Sequence, residues 1–303
     1  MDLIGGIDLG GSKIEAALFD EHLDRLTVRR IATPREDYEQ LLEALAEQID
    51  WLRHEADAEP KIGIGCPGFF DPETGLAYTA NLPARGKPFQ ADLRDRTGAA
   101  LVMGQDLKCF ALSEANGGAG AGAAHVFGLI LGTGLGGALC HRGTLITGQN
   151  GLLGEIGHVP LSLRSAERHS LPVWPCGCGL AGCYESYVSG PGITALARHT
   201  LGHTISPPDI AAGAAAGDPD LARIMKIWLE LAAEVLQIIQ VALDPDCVVL
   251  GGGLSKFPNL VPQLAAELER IKLPGSRAPR LALAKFGDSS GTRGAAIIAA
   301  SGG

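Results

Sequence analysis

Apolar side chains recur at steps of three and four through Tyr38, Leu41, Leu42, Leu45, Ile49 and Leu52. That spacing lines one face of a helix and predicts an amphipathic helix over 37–57. A longer stripe, Leu221, Ile224, Ile227, Trp228, Leu231, Val235 and Ile238, predicts a helix over 219–243. Short apolar runs bounded by turn residues predict strands at 3–8, 14–19, 24–33, 61–66 and 100–104, and again at 126–131, 138–141 and 247–250. A helix is expected over 106–115, directly after a strand, and the apolar tail from 292 to 300 also reads as helical.

A strand, a glycine turn and a second strand occur twice. One unit surrounds Gly10-Gly11-Ser12-Lys13 and the other the run from Gly132 to Gly137, read as turn throughout. This repetition suggests an internal duplication. Strands alternating with helices imply α/β layers, so the expected fold class is α/β, two domains around a central cleft. The glycine-rich run 117–122 reads as the boundary. It sets domains at 1–117 and 118–291, with a C-terminal helix at 292–303 packing back on the first.

Composition narrows the function classes. The 303 residues carry 46% hydrophobic side chains and a net charge of −9. A chain without a basic surplus is a poor candidate for binding nucleic acid or anionic membrane. The start, Met1-Asp2-Leu3-Ile4, lacks the basic and apolar regions of a signal peptide. The longest uncharged apolar window, 126–140, is too short to span a bilayer. Cys66, Cys109, Cys140 and Cys247 stand alone in apolar surroundings and read as buried thiols. Seven cysteines, three of them clustered, fit a reducing cytoplasm with one metal site better than a disulfide framework.

The chemistry sits in a few motifs. Asp8 precedes Gly10-Gly11-Ser12-Lys13, a turn whose backbone N–H groups can cradle a phosphate while Asp8 orients Mg²⁺ or its waters. The alternative is a plain tight hairpin. No G-x-x-x-x-G-K-[ST] sequence is present, which excludes a P-loop enzyme. Gly132, Gly134 and Gly137 formally match G-x-G-x-x-G. The residues that follow read as strand and turn, so a second phosphate-cradling hairpin fits better than a dinucleotide site. Cys176, Cys178 and Cys183, with His158 upstream, offer three thiolates and an imidazole for a closed tetrahedral Zn²⁺ site of structural type. Closure of that site would bring Glu155 and Glu185 together as acceptors for a polyhydroxylated ligand. A paired-carboxylate glycosidase would not need two phosphate hairpins. Asp106 lies where a strand meets a helix start, a position that suits either an N-cap or a general base. His141, His169, His199 and His203 have no such context and read as surface residues.

In this order, the motifs resemble the sugar kinases of the ROK family, within the actin/hexokinase ATPase superfamily. The resemblance rests on Asp8 to Lys13, Gly65-Cys66-Pro67-Gly68, Ala80-Asn81-Leu82-Pro83, Asp106, Gly132-Thr133-Gly134, Gly154-Glu155-Ile156-Gly157-His158, Cys176-Gly177-Cys178-Gly179, Gly182-Cys183-Tyr184-Glu185 and Gly251-Gly252-Gly253. It runs the length of the chain. It implies two actin-like, ribonuclease H-like domains and transfer of the ATP γ-phosphate to a sugar 6-hydroxyl. Within the family, Ala80 to Ala84 with Gly86-Lys87-Pro88 is most similar to members acting on N-acetylglucosamine. Fructokinase and mannokinase members are nearly as similar, notably around Asp288-Ser289-Ser290-Gly291.

The resemblance implies that Asp106 is the base and that Gly68, Asn81, Gln105, Glu155, His158 and Glu185 hold the sugar. Gly10, Gly11, Ser12, Lys13, Gly132, Thr133 and Gly134 would hold the ATP phosphates, with Asp8 and Mg²⁺. Gly252 and Gly253 would lie near the nucleoside. It also suggests a homodimer. Sugar-responsive repressors of the family carry a helix-turn-helix ahead of the first hairpin, and the hairpin here begins too near Met1 for one. The chain departs from the family at Gln105, where Asn is usual. One methylene shifts the amide by about 1.5 Å, and errors of about 1 Å can cost on the order of a hundredfold in rate. A non-catalytic sugar-binding protein is therefore the rival of another class.

Overall fold

The computed structural model describes residues 3–79 and 81–301. Ala80 of the Ala80-Asn81-Leu82-Pro83 motif and residues 302–303 of the expected tail helix lie outside the described residues, as does the Asp288 side chain. In chain order the first elements are β1 (Ile4–Leu9), β2 (Lys13–Phe19), β3 (Arg25–Ala32), α1 (Tyr38–Ala56), β4 (Lys61–Cys66), β5 (Phe69–Phe70), β6 (Ala77–Tyr78), α2 (Phe89–Thr97), β7 (Leu101–Gln105) and α3 (Asp106–Ala115). There follow β8 (His125–Leu131), β9 (Leu135–His141), β10 (Thr144–Leu145), α4 (Leu163–His169), α5 (Glu185–Val188), α6 (Gly190–Leu201), α7 (Pro207–Ala215), α8 (Pro219–Leu243), β11 (Cys247–Gly251), α9 (Leu260–Ile271), β12 (Arg280–Leu283) and α10 (Ser290–Ser301). Two compact units result. One is Met1–Gly118 with Gly143–Leu153 and Phe286–Gly303; the other is Ala119–Arg142 with Gly154–Lys285.

The first unit is a sheet of order β3-β2-β1-β4-β7. β1, β2 and β3 are antiparallel, while β4 and β7 run parallel to β1. Burial of the predicted stripe fixes α1 on the sheet. Leu41, Leu42, Leu45, Ile49 and Leu52 share one core with Ile7, Leu9, Ile14, Ile62 and Ile64. Asp37 starts the helix by accepting from the Gln40 amide, which satisfies one of its orphan donors.

Helix α10 packs in the same unit, and glycines set how close it comes. Gly6 and Gly63 are register partners on β1 and β4. A Cβ at Gly6 would overlap the Thr292 carbonyl, and one at Gly63 the Ala295 carbonyl. On the helix, a Cβ at Gly294 would overlap the Cys109 carbonyl of α3. Gly63→Ala is therefore expected to lower stability by about 1–3 kcal/mol, the usual cost of overpacking. An unchanged denaturation midpoint would contradict this flush docking.

The second unit repeats the plan. β9-β8-β11-β12 has an antiparallel hairpin followed by two parallel strands, as β2-β1-β4-β7 does. The predicted turn over Gly132 to Gly137 is shorter than expected, because β9 begins at Leu135. Gly137 belongs to the strand, where a Cβ would overlap the Gly128 carbonyl opposite. Helix α8 buries Trp228, whose indole donates to the Val188 carbonyl at 2.8 Å. Among the described residues, no helix is long and apolar enough to cross a membrane.

Candidate active site

The parallel strands of the first unit end together, and their register brings the predicted residues to one edge. Asp8 on β1 pairs with Gly65 on β4, and Cys66 on β4 pairs with Gln105 on β7. Asp106 then opens α3, its Oδ1 accepting from the Leu107 amide at 2.8 Å. Cys66 and Cys109 are buried near both acids. Burial pushes both thiols well above their ordinary pKa, and the Asp8 and Asp106 charges add to the shift. They remain protonated, so the groups buried near the two carboxylates carry no charge. Gln105 is buried.

The Gly10–Lys13 turn is closed by Gly10 N–H donating to the Lys13 carbonyl at 2.9 Å. Thr33 staples it, its amide donating to the Ser12 carbonyl and its hydroxyl to the Gly10 carbonyl. This residue was not singled out from sequence, and nothing in its local pattern marks it. Asn81 is exposed beside Gly11, so a predicted sugar residue and a predicted phosphate turn are neighbours. Lys13 lies 3.8 Å from the buried Glu15, which also pairs with Arg30. At Gly68, φ is 97° and a Cβ would overlap the Tyr78 carbonyl, so only glycine fits.

The second unit assembles another set. Gly132-Thr133-Gly134 turns between β8 and β9, with Gly132 N–H donating to the Gly134 carbonyl at 3.0 Å. Gly252, after β11, packs on Leu131 and Gly132, so the predicted nucleotide residues Gly132 to Gly134 and Gly252-Gly253 are adjacent. The start of α6 lies beneath the turn, Gly190 N–H donating to the Gly132 carbonyl at 2.7 Å. A helix N-terminus favours negative charge there. A Ser189 cap followed by Pro191 is the sequence signal of this helix start.

His158 and Glu185 meet at Cys176, and Glu155 faces His158. His158 Nδ1 is 3.6 Å from Cys176 Sγ, and Glu185 Oε1 is 3.8 Å from the same sulfur. His158 Nε2 faces Glu155 at 3.8 Å. Glu185 Oε2 accepts from the Leu135 amide at 3.0 Å, which ties it to the glycine turn. Gly154 and Gly157 let the Glu155–His158 segment lie flat on β9, since a Cβ at either would overlap a backbone carbonyl there.

The Cys176, Cys178, Cys183 and His158 ligand atoms all lie within 4.8 Å of one another. A tetrahedral Zn²⁺ with ordinary bond lengths needs sulfurs about 3.8 Å apart and a sulfur–nitrogen separation of about 3.6 Å. The observed Cys178–Cys183 and Cys176–His158 separations are 3.7 and 3.6 Å. The donor set fits zinc. The Leu180 amide holds the Cys178 thiol below its ordinary pKa, whereas burial pushes Cys183 up to about 12. Zinc binding would release that proton.

Two of the histidines predicted to lie on the surface are only partly exposed. The His169 side chain is 12% exposed and bonds Glu230 at 2.9 Å. His141 is half-buried against His125. His199 and His203 are exposed, as expected.

Two sheets of one plan, each opening on a hairpin with a glycine turn, make this an actin-like ATPase fold. The chain belongs to the ROK family, which it matches over residues 4–301. It is 41% identical over 296 residues to an N-acetyl-D-glucosamine kinase from Yersinia pseudotuberculosis, covering 97% of both chains. The ROK hexokinase from Thermus thermophilus matches at a TM-score of 0.86 and 31% identity over 97% of each chain. A ROK family glucokinase from Streptomyces griseus, solved with glucose and AMPPNP, matches at 0.82 and 27% over 99% of each.

Proposed function

We propose that this protein is an ATP-dependent hexose kinase acting on the 6-hydroxyl of N-acetyl-D-glucosamine. The observation that carries the chemistry is Asp106 at the carboxyl edge of β1, β4 and β7, the edge at which Asp8 also ends up, with buried, uncharged Cys66 and Cys109 near both acids. The identity to an N-acetyl-D-glucosamine kinase supports the choice of sugar.

In this reading Asp106 takes the 6-hydroxyl proton as that oxygen bonds the γ-phosphorus. The bond to the β,γ-bridging oxygen breaks and ADP leaves. Such transfer depends chiefly on positioning and charge stabilisation. From the first unit, Gly68, Asn81 and Gln105 hold the sugar, the Gly10–Lys13 turn holds phosphate, and Asp8 orients Mg²⁺ through oxygen donors of the hard type that ion prefers. From the second, Glu155, His158 and Glu185 hold ring hydroxyls. Gly132-Thr133-Gly134 holds phosphate over the α6 start, and Gly252-Gly253 lies near the nucleoside. His158, Cys176, Cys178 and Cys183 hold a structural Zn²⁺, which leaves His158 Nε2 facing Glu155 and the sugar. ATP and a sugar are the partners this chemistry requires; nucleic acid and membrane are not. The free thiols support a reducing, cytoplasmic setting.

The test is an ADP-release assay with N-acetylglucosamine, N-acetylmannosamine, glucose, fructose and mannose. N-acetylglucosamine is expected to give the highest kcat/KM. A tenfold preference for another hexose would reassign the substrate.

A further inference from the structure

A second group of metal-ligating side chains lies at the other end of the second sheet. His125 opens β8 and His141 closes β9, and they are register partners in the antiparallel pair. Cross-strand partners carry their side chains on one face. His125 Nε2 and His141 Nδ1 are 3.0 Å apart, with ring centres 4.6 Å apart and planes inclined by 40°. Asp246, just before β11, accepts the His125 amide at 2.8 Å. That amide holds its carboxyl below the ordinary value, so it is ionised. Its Oδ2 lies 3.6 Å from His125 Nδ1. Asp246 therefore stands on the Nδ1 side of the His125 ring, and Nε2 is the nitrogen that faces His141. The gly-turn ends of β8 and β11, where nucleotide residues gather, are at the opposite edge.

We propose that His125 and His141 chelate a divalent first-row transition ion at adjacent positions of an octahedral or tetragonal sphere, with Asp246 as the carboxylate behind His125. Two nitrogens 3.0 Å apart, each about 2.1 Å from one ion, subtend about 90°. A tetrahedral ion would need them about 3.4 Å apart. Lone pairs converging at 90° put the ring centres about 4.6 Å apart, whereas a head-on N–H···N bond would hold them at about 5.3 Å. The observed 4.6 Å matches convergence. Right-angled nitrogen ligation suits Ni²⁺ or Cu²⁺ better than Zn²⁺. The His125 side chain is 44% exposed, so water completes the sphere.

Calorimetric titration of the zinc-saturated full chain with Ni²⁺ tests this. One Ni²⁺ per chain is expected to bind beyond the zinc. His141→Asn and His125→Asn should each weaken it at least tenfold, and Asp246→Asn about 10- to 100-fold, the usual cost of losing such a carboxylate. His199→Asn, an exposed control, should leave it unchanged. Affinity and stoichiometry that survive both histidine substitutions, or no added Ni²⁺ in the wild-type chain, would overturn the site. Efficient displacement of the Ni²⁺ by equimolar Zn²⁺ would overturn the right-angled geometry. None of these readouts depends on kinase activity.

Discussion

Asp106→Asn is expected to lower kcat by about 10²- to 10⁴-fold, the range a general base contributes, and to leave sugar affinity nearly unchanged. Asparagine keeps an oxygen for the Leu107 amide, which Asp106 Oδ1 occupies at 2.8 Å. It keeps the size of the side chain and loses the negative charge and with it the capacity to take a proton. If Asp106 served merely as an acid in the first turn of α3, the substitution would cost about 0.3–1 kcal/mol of stability and little turnover. Measured together, kcat and the unfolding midpoint separate the two roles. A variant retaining more than a tenth of the wild-type kcat would refute the assignment.

Cys178→Ser is expected to take the protein from about one zinc per chain to nearly none and to raise the sugar KM at least tenfold. Cys178 is exposed, so its replacement disturbs little packing and acts through the metal. The segment it closes carries Cys176, which contacts both His158 and Glu185. Without the ion these side chains lose the cross-link that fixes their spacing, and errors of about 1 Å matter at a binding site. Metal analysis and steady-state kinetics check this. A metal-free variant with full activity and an unchanged midpoint would contradict it.

Much of this architecture could be read from the chain because burial and turn chemistry act locally. The α1 stripe, the α8 stripe and the strand ending at Cys66 are each set by side-chain period and glycine punctuation. The cluster of candidate metal donors, Cys176, Cys178, Cys183 and His158, was legible because thiols at that spacing have few other uses. Other features required the fold. Gly6, Gly63 and Gly294 look like weak points in strand and helix until α10 is seen resting on the sheet backbone. Thr33 staples the first turn from a neighbouring strand, and no local pattern could show that register. Leu135 to Gly137 read as turn because glycines outweighed pattern, yet strand pairing with β8 claims them. His169 read as surface, but Glu230, some sixty positions along the chain, draws it in.

Every residue role above serves one reaction, transfer of a phosphoryl group from ATP to a sugar alcohol. ³¹P NMR of a mixture of protein, MgATP and N-acetylglucosamine tests it most directly. Equal amounts of ADP and a sugar 6-phosphate are expected, both forming at least about a hundredfold more slowly with Asp106→Asn. Bound sugar by calorimetry with no phosphosugar from any hexose would contradict it.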